Sequence, residues 1–139
     1  MSTVQDAIEA IQAKAAALAG MRAAPNYAPD SISAFPFAVS YPEGGSVETQ
    51  SAGWHIMFHT IITEIHVSRK DMPRDLAQVI PYVETFVNAL ASDPQLNNEV
   101  TTIGPGRITW RFTGFTYLDK TETVGWRFII PIKQQQTQT

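Results

Sequence analysis

The sequence predicts an α+β fold: a single mixed, mostly antiparallel sheet, with one long bulged strand and a closing hairpin, packed against two helices. Three observations predict it: a long run of β-branched and aromatic residues at Gly53–Asp71, two segments with helical periodicity, and two alternating runs near the end of the chain. With 139 residues the chain is long enough for one domain with a real core and too short for two. We therefore predict a single domain at 1–133 and a disordered tail at 134–139.

The composition excludes several classes of function. The chain has no cysteine, which excludes a disulfide framework and thiolate metal sites. Its net charge is −3 and its Lys and Arg residues form no cluster, so the sequence predicts no surface that grips nucleic-acid phosphates. The first residues carry no secretory signal, and no apolar run approaches the length of a membrane span. We expect a folded protein that makes no membrane contact.

The long strand at Gly53–Asp71 carries two apolar runs that are out of phase. The runs are Trp54, Ile56 and Phe58, then Ile61, Thr63, Ile65 and Val67. Because side chains alternate between faces with a period of two, this slip predicts a bulge near His59–Ile61. At about 3.3 Å per residue the strand would span about 45 Å, longer than most strands, so we expect it to extend beyond its own core and to meet another molecule.

A first helix is predicted at residues 4–18, and a first strand and a loop follow it. Ser2 or Thr3 is the expected N-cap, with Gln5 completing a capping box. Phe35–Tyr41 alternates apolar and small residues and contains a proline, which indicates a strand at a sheet edge. The segment Pro42–Ala52 contains two glycines and two glutamates, and we predict a mobile loop there.

A second helix follows the long strand, with Asp71 as its N-cap, Pro73 in its first turn and Asp75 complementing its dipole. Apolar residues recur on one face at Leu76, Val79, Ile80, Val83, Phe86, Val87 and Leu90. Pro81 lies inside this pattern, which predicts a kink near Ala77–Pro81 or a restart of the helix at Pro81.

The chain ends in a short strand at Glu99–Ile103 and two alternating runs at Arg107–Leu118 and Thr123–Ile132, which predict an antiparallel hairpin. On the first run, one face carries Ile108, Trp110 and Phe112. Arg107, Arg111 and Arg127 fall on the outer face of this hairpin. They indicate either a solvated sheet face or a contact with another subunit, because arginine is favoured at interfaces.

The histidines are the only candidates for metal chemistry. If the bulge exists, His55, His59 and His66 share a face with Glu64, a residue set that binds Zn or Ni in other proteins. However, strand positions four residues apart lie about 13 Å from each other, too far for one ion, and we favour solvent-facing histidines. No nucleophile motif or phosphate-binding loop is present, so we predict no catalytic, cofactor-binding or metal-binding residue and no cofactor.

The order of elements resembles that of the tail terminator proteins of long-tailed bacteriophages. The resemblance covers nearly the whole chain and is carried by FPFAVSYPEG after an N-terminal helix, DMPRDLAQVIPYV entering the second helix, and the closing TGFTYL…GWRFIIPI hairpin. It implies a structural virion protein without enzymatic activity, assembled in the bacterial host cytoplasm. The implied assembly is a ring, expected to be hexameric, that caps the tail tube, stops its polymerisation and docks to the head connector.

The partners implied by the resemblance are other copies of the chain, the tail tube protein and the head-completion or connector protein, with DNA only passing through the lumen. We predict that the ring contacts include residues of the 42–52 loop and of the hairpin: Glu43, Gly44, Gly45, Glu48, Arg111 and Arg127. Three alternatives stay open. They are another neck component such as a head-closure or tail-completion ring, a small metal-dependent enzyme using the three histidines and Glu64, and a host-encoded ligand-binding module.

Overall fold

An antiparallel sheet with helices on one face forms the fold. The computed structural model describes residues 3–49, 54–96, 99–100, 102–103 and 107–137. In chain order the elements of this part are α1 (Val4–Ala16), β1 (Phe37–Thr49), β2 (Trp54–Ser68), α2 (Met72–Val79), α3 (Tyr82–Ala91), β3 (Thr102–Ile103), β4 (Thr109–Thr116) and β5 (Glu122–Thr137). The strands are arranged β1-β2-β5, and β3 and β4 both pair with β5. The predicted α+β class is confirmed.

The helices begin and end largely where the sequence predicts. Thr3 caps α1 in a capping box, but its reciprocal partner is Asp6 rather than Gln5. Asp71 caps α2, accepting a hydrogen bond from the Arg74 amide. The second predicted helix is divided into α2 and α3, and Pro81 occupies the N-cap of α3, which confirms a restart at that residue. No helix in the described part of the chain is long and apolar enough to cross a membrane.

The long strand contains no bulge, contrary to the prediction. The pairing of β2 with β5 runs without interruption from Trp54↔Thr137 to Ser68↔Thr123. The register shift lies instead in β1 between Pro42 and Gly44, opposite the predicted position. The apolar pattern of β2 changes phase because both faces of its second half are buried: Ile61 contacts the helices, and Ile62 is fully buried on the opposite face.

Two segments predicted to be irregular are strands. Residues 42–49 of the predicted mobile loop belong to β1, whereas 50–52 lie outside the described residues. Residues 134–137 of the predicted disordered tail belong to β5, and 138–139 lie outside the described residues. In each case the main chain pairs with β2. The side-chain amide of Gln134 also donates hydrogen bonds to the main-chain carbonyl oxygens of Thr3 and Glu99. These polar segments have weak strand preferences of their own, and pairing with an existing strand supplies the main-chain hydrogen bonds that make them strands.

The closing hairpin is confirmed, with β4 and β5 paired from Thr109↔Ile129 to Thr116↔Glu122. Of the predicted short strand at Glu99–Ile103, Thr102–Ile103 is a strand and 99–100 are not, whereas 101 lies outside the described residues. The side chains of Trp110 and Phe112 are 45% and 40% exposed, so this face of β4 is not part of the core. The helices cover β2 and β5, where the largest buried side chains include Phe86, Phe128, Ile61, Ile65 and Ile130.

Candidate functional site

A network of polar side chains lies on the far face, meaning the face of the sheet that carries Ile62, Glu64 and His66 and lies opposite the helices. Glu64 accepts hydrogen bonds from the Tyr41 hydroxyl and from Nε2 of His66, the latter at 2.8 Å. The other ring nitrogen of His66, Nδ1, forms a hydrogen bond with the Thr123 hydroxyl at 2.6 Å. This network connects β1, β2 and β5 through side chains.

Three aromatic rings enclose His66. Its ring centroid lies 5.7 Å from Phe37, 4.3 Å from Phe115 and 6.1 Å from Tyr117. Opposite His66, a Cβ on Gly125 would lie 1.8 Å from the main-chain oxygen of Ile65, so only glycine fits there. His66 is 1% exposed, and both of its ring nitrogens are already bonded, so it is inaccessible to a substrate.

Burial and hydrogen bonding set the protonation states in this network. Burial alone would raise the pKa of Glu64, but hydrogen bonds from His66 and Tyr41 and the nearby Arg127 charge outweigh it and lower the pKa. Burial, with the hydrogen bond to Glu64 and its negative charge, raises the pKa of Tyr41 to about 12. Glu64 is therefore an anion and Tyr41 a neutral donor over the physiological range.

An ion pair at the bulge adds a second connection across the sheet. Glu43 is the extra residue of β1, and its carboxylate accepts a hydrogen bond from Arg127 of β5 at 2.8 Å. The contact spans β2, because β1 and β5 pair with opposite edges of that strand. Although desolvation acts in the opposite direction, the hydrogen bonds to Glu43 and Tyr41 raise the pKa of Arg127. Two residues predicted as ring contacts are thus partners within one chain.

The other predicted contact residues lie in exposed strands. Gly44, Gly45 and Glu48 belong to β1 after the bulge, and Arg111 belongs to β4. Glu48 and Arg111 are exposed, and among the described residues neither has an ion-pair partner. The structure thus brings Glu43 and Arg127 together and leaves Glu48 and Arg111 available to another molecule.

The histidines do not form the cluster that a bulge in β2 would create. Because β2 is regular, His55 and His59 point to the helix face, and His66 and Glu64 point to the far face. Solvent exposure was the favoured interpretation for all three, and it is wrong for His66. Within the described residues, no group of three His, Asp or Glu side chains is arranged to hold a metal ion.

The network also contains residues that the sequence pattern does not single out. Tyr41 and Thr123 join it because the pairing of β1 and β5 with β2 carries them to the same face. A second buried cluster connects α1 to the sheet, in which Ser40 donates to Gln12 at 2.7 Å and contacts Thr63 at 2.8 Å. Neither the far-face network nor this second cluster can be predicted unless the register of the strands is known.

Comparison of the chain with models of known protein families and with curated proteins gives no match. Function must therefore be argued from the surfaces of the chain itself. In the part of the chain that the structure describes, these surfaces offer a closed polar network, an exposed strand at each edge of the sheet, and charges of opposite sign on those strands that have no ion-pair partner.

Proposed function

We propose that this chain is a structural virion protein, a tail terminator that forms a ring on the end of a phage tail tube. The ring stops polymerisation of the tube and provides the surface to which the head connector docks. The observation that carries the proposal is that, among the described residues, the sheet ends in two different strands with no pairing partner on their outer side, the second half of β1 and β4. Together with the order of elements, this makes a closure subunit the function that fits best.

Two different free edges favour head-to-tail association. The outer edge of the first half of β1 is covered, because the Ala38 amide donates to Ala23 and the Ala38 carbonyl accepts from Gln12. After the bulge, residues 44–49 pair only with β2 in the described part of the chain, and β4 pairs only with β5. A surface that meets a different surface on the next copy generates a ring when the rotation closes.

Termination requires that one side of the ring does not repeat the surface that it binds. A tube built from head-to-tail contacts continues to grow while each added ring presents a copy of its own binding surface. A ring with rotational symmetry alone presents different residues of each subunit on its two sides, so one side of the ring can bind the tube while the other side is not a copy of it.

The far face supports a structural role rather than a chemical one. Its most reactive candidate, His66, is buried beneath aromatic rings and fully hydrogen-bonded. A group with these properties stabilises the sheet and does not meet substrate. The net charge of −3 suits a ring through which DNA passes without being held.

The test is to add the purified chain to polymerising tail tube protein and to isolated tails and heads. We expect the tubes to become shorter even when far less than one copy of this chain is added per tube subunit. Electron microscopy should show rings at the tube ends. Unchanged tube lengths together with no rings on tails would contradict the proposal. Binding to filled heads but not to tails would assign the chain to another neck component.

A further inference from the structure

We propose that the ring forms by edge-to-edge strand pairing: the free half of β1, Gly44–Thr49, lies antiparallel along β4 of the next copy, with Glu48 opposite Arg111. This inference rests on the proposed ring and specifies the contact between neighbouring subunits of that ring. It names a second copy of this chain as the occupant of each free edge. Four features of the described residues support it: direction, hydrogen-bond phase, side-chain chemistry and charge.

The directions of the strands are compatible with antiparallel pairing. From β1 through β2 and β5 to β4, each strand is antiparallel to the one before it. After three reversals β4 runs opposite to β1. Copies related by rotation therefore meet with β4 of one antiparallel to β1 of the next, and each face of the sheet continues as the same face.

The free hydrogen-bonding groups are in phase for this pairing. The main-chain groups of Ala38 point away from β2. Along a paired strand, the main-chain N–H and C=O groups of successive residues point alternately to one neighbour and to the other. Beyond the bulge of β1, the groups that point outward therefore belong to Gly45, Val47 and Thr49. In β4 they belong to Trp110, Phe112 and Gly114. The resulting hydrogen-bonded pairs are Gly45–Gly114, Val47–Phe112 and Thr49–Trp110.

The side chains match on both faces in this register. On the helix face, Val47 is 56% exposed and would pack against Phe112 and Trp110, which are also exposed. On the far face, Glu48 would meet Arg111 in a non-hydrogen-bonded pair, where the side chains are closest. Burial of exposed apolar groups and pairing of opposite charges then occur together.

Charge distinguishes this head-to-tail contact from a two-fold dimer. Arg111 lies directly opposite Arg127 in the β4–β5 ladder, an unfavourable like-charge pair that Glu43 relieves only at Arg127. Pairing β4 with β4 would add further arginines, and pairing β1 with β1 would bring acidic residues together. Only the β1–β4 contact supplies a carboxylate to Arg111.

Cysteine cross-linking tests the register, because the chain contains no cysteine of its own. Glu48→Cys and Arg111→Cys are prepared as separate full-length variants, mixed, and oxidised, both alone and with tail tubes. We expect a disulfide-linked heterodimer on a non-reducing gel, and a ladder of larger species from the double variant. A link within one chain is excluded, since three strand spacings of about 4.8 Å exceed disulfide reach and the two residues are also far apart along the strands.

The matched control is Val47→Cys mixed with Arg111→Cys, because Val47 is adjacent to Glu48 but points to the other face. We expect the 48–111 mixture to cross-link at least tenfold faster than the 47–111 mixture. Equal rates, or no 48–111 product in either condition, would overturn the inference. Cross-linked copies that leave tube growth unchanged would overturn only the proposed function, whereas capped tubes without this link would overturn only the contact.

Discussion

The two halves of β1 pair with the same strand but lie in different environments. In the anchored half, Phe37–Tyr41, the side chains are buried or half-buried and the outer edge is covered by Ala23 and Gln12. In the free half, Gly44–Thr49, all residues are exposed, and within the described part of the chain their main chain pairs with β2 alone. One strand therefore has a half that is held in the fold and a half whose exposed edge is the proposed contact with another copy.

Truncation of a side chain in each half gives the largest expected difference. Phe37→Ala removes a ring that is 1% exposed and contacts His66 and Tyr117, and we expect it to cost about 3–5 kcal/mol of unfolding free energy. Val47→Ala, in the free half, should change it by less than about 0.5 kcal/mol. Urea denaturation measures both, and equal losses would remove the distinction between the halves.

The two glycines of the free half test how closely it pairs with β2. A Cβ on Gly45 would lie 2.4 Å from the main-chain oxygen of Phe58, whereas a Cβ on Gly44 would meet nothing within 4 Å. We expect Gly45→Ala to destabilise the protein by about 1–3 kcal/mol through overpacking, with Gly44→Ala as the near-neutral control. Similar thermal midpoints for the two variants would indicate that the free half is not held against β2.

The anchored half should respond to acid through Glu64. Its pKa is lower in the folded state than in the unfolded chain, so its stabilising contribution is present above the unfolded value and is lost as pH falls through the folded value. Glu64→Gln should cost about 1–3 kcal/mol at neutral pH, and the difference from wild type should decrease below about pH 4. Glu48→Gln, in the free half, is the control and should leave the unfolding free energy at neutral pH within about 0.5 kcal/mol of wild type. A pH-independent difference at Glu64 would contradict the assigned network.

The free half should affect association more than folding. Glu48→Arg or Arg111→Glu alone should weaken each contact by about 1 kcal/mol, about fivefold, and the double charge reversal should restore it. Analytical ultracentrifugation measures the association and a thermal melt the folding, which should stay unchanged. Arg127→Glu is a poor substitute, because it also breaks the Glu43 pair within the chain. Failure of the double reversal to restore association would exclude direct pairing of these residues.

Local signals in the sequence predicted the elements whose formation depends on neighbouring residues. The N-cap at Thr3, the cap at Asp71, the restart at Pro81 and the β4–β5 hairpin each follow from a few adjacent side chains. These features form wherever their own residues permit, because capping and turn preferences act within one or two turns of chain.

The site depended on register, which no local pattern specifies. Both faces of the second half of β2 are buried, and this produces the same change of phase in the apolar pattern as a bulge would. The pattern therefore predicted all three histidines on one face, whereas His66 lies on the face opposite to His55 and His59. The true bulge at Glu43 is what places a carboxylate beside Arg127. A single residue of register decides which face every later side chain occupies.

By itself, the sequence determined the α+β class, the helix boundaries and the closing hairpin, because amphipathic periodicity and capping are properties of short segments. Only the tertiary structure decided that residues 42–49 and 134–137 are strands and that His66 is enclosed. It also placed Glu48 and Arg111 at opposite edges of the sheet, where neither has an ion-pair partner among the described residues. Glycine- and glutamine-rich segments have weak strand preferences of their own. They become strands here because β2 offers them main-chain partners along its whole length.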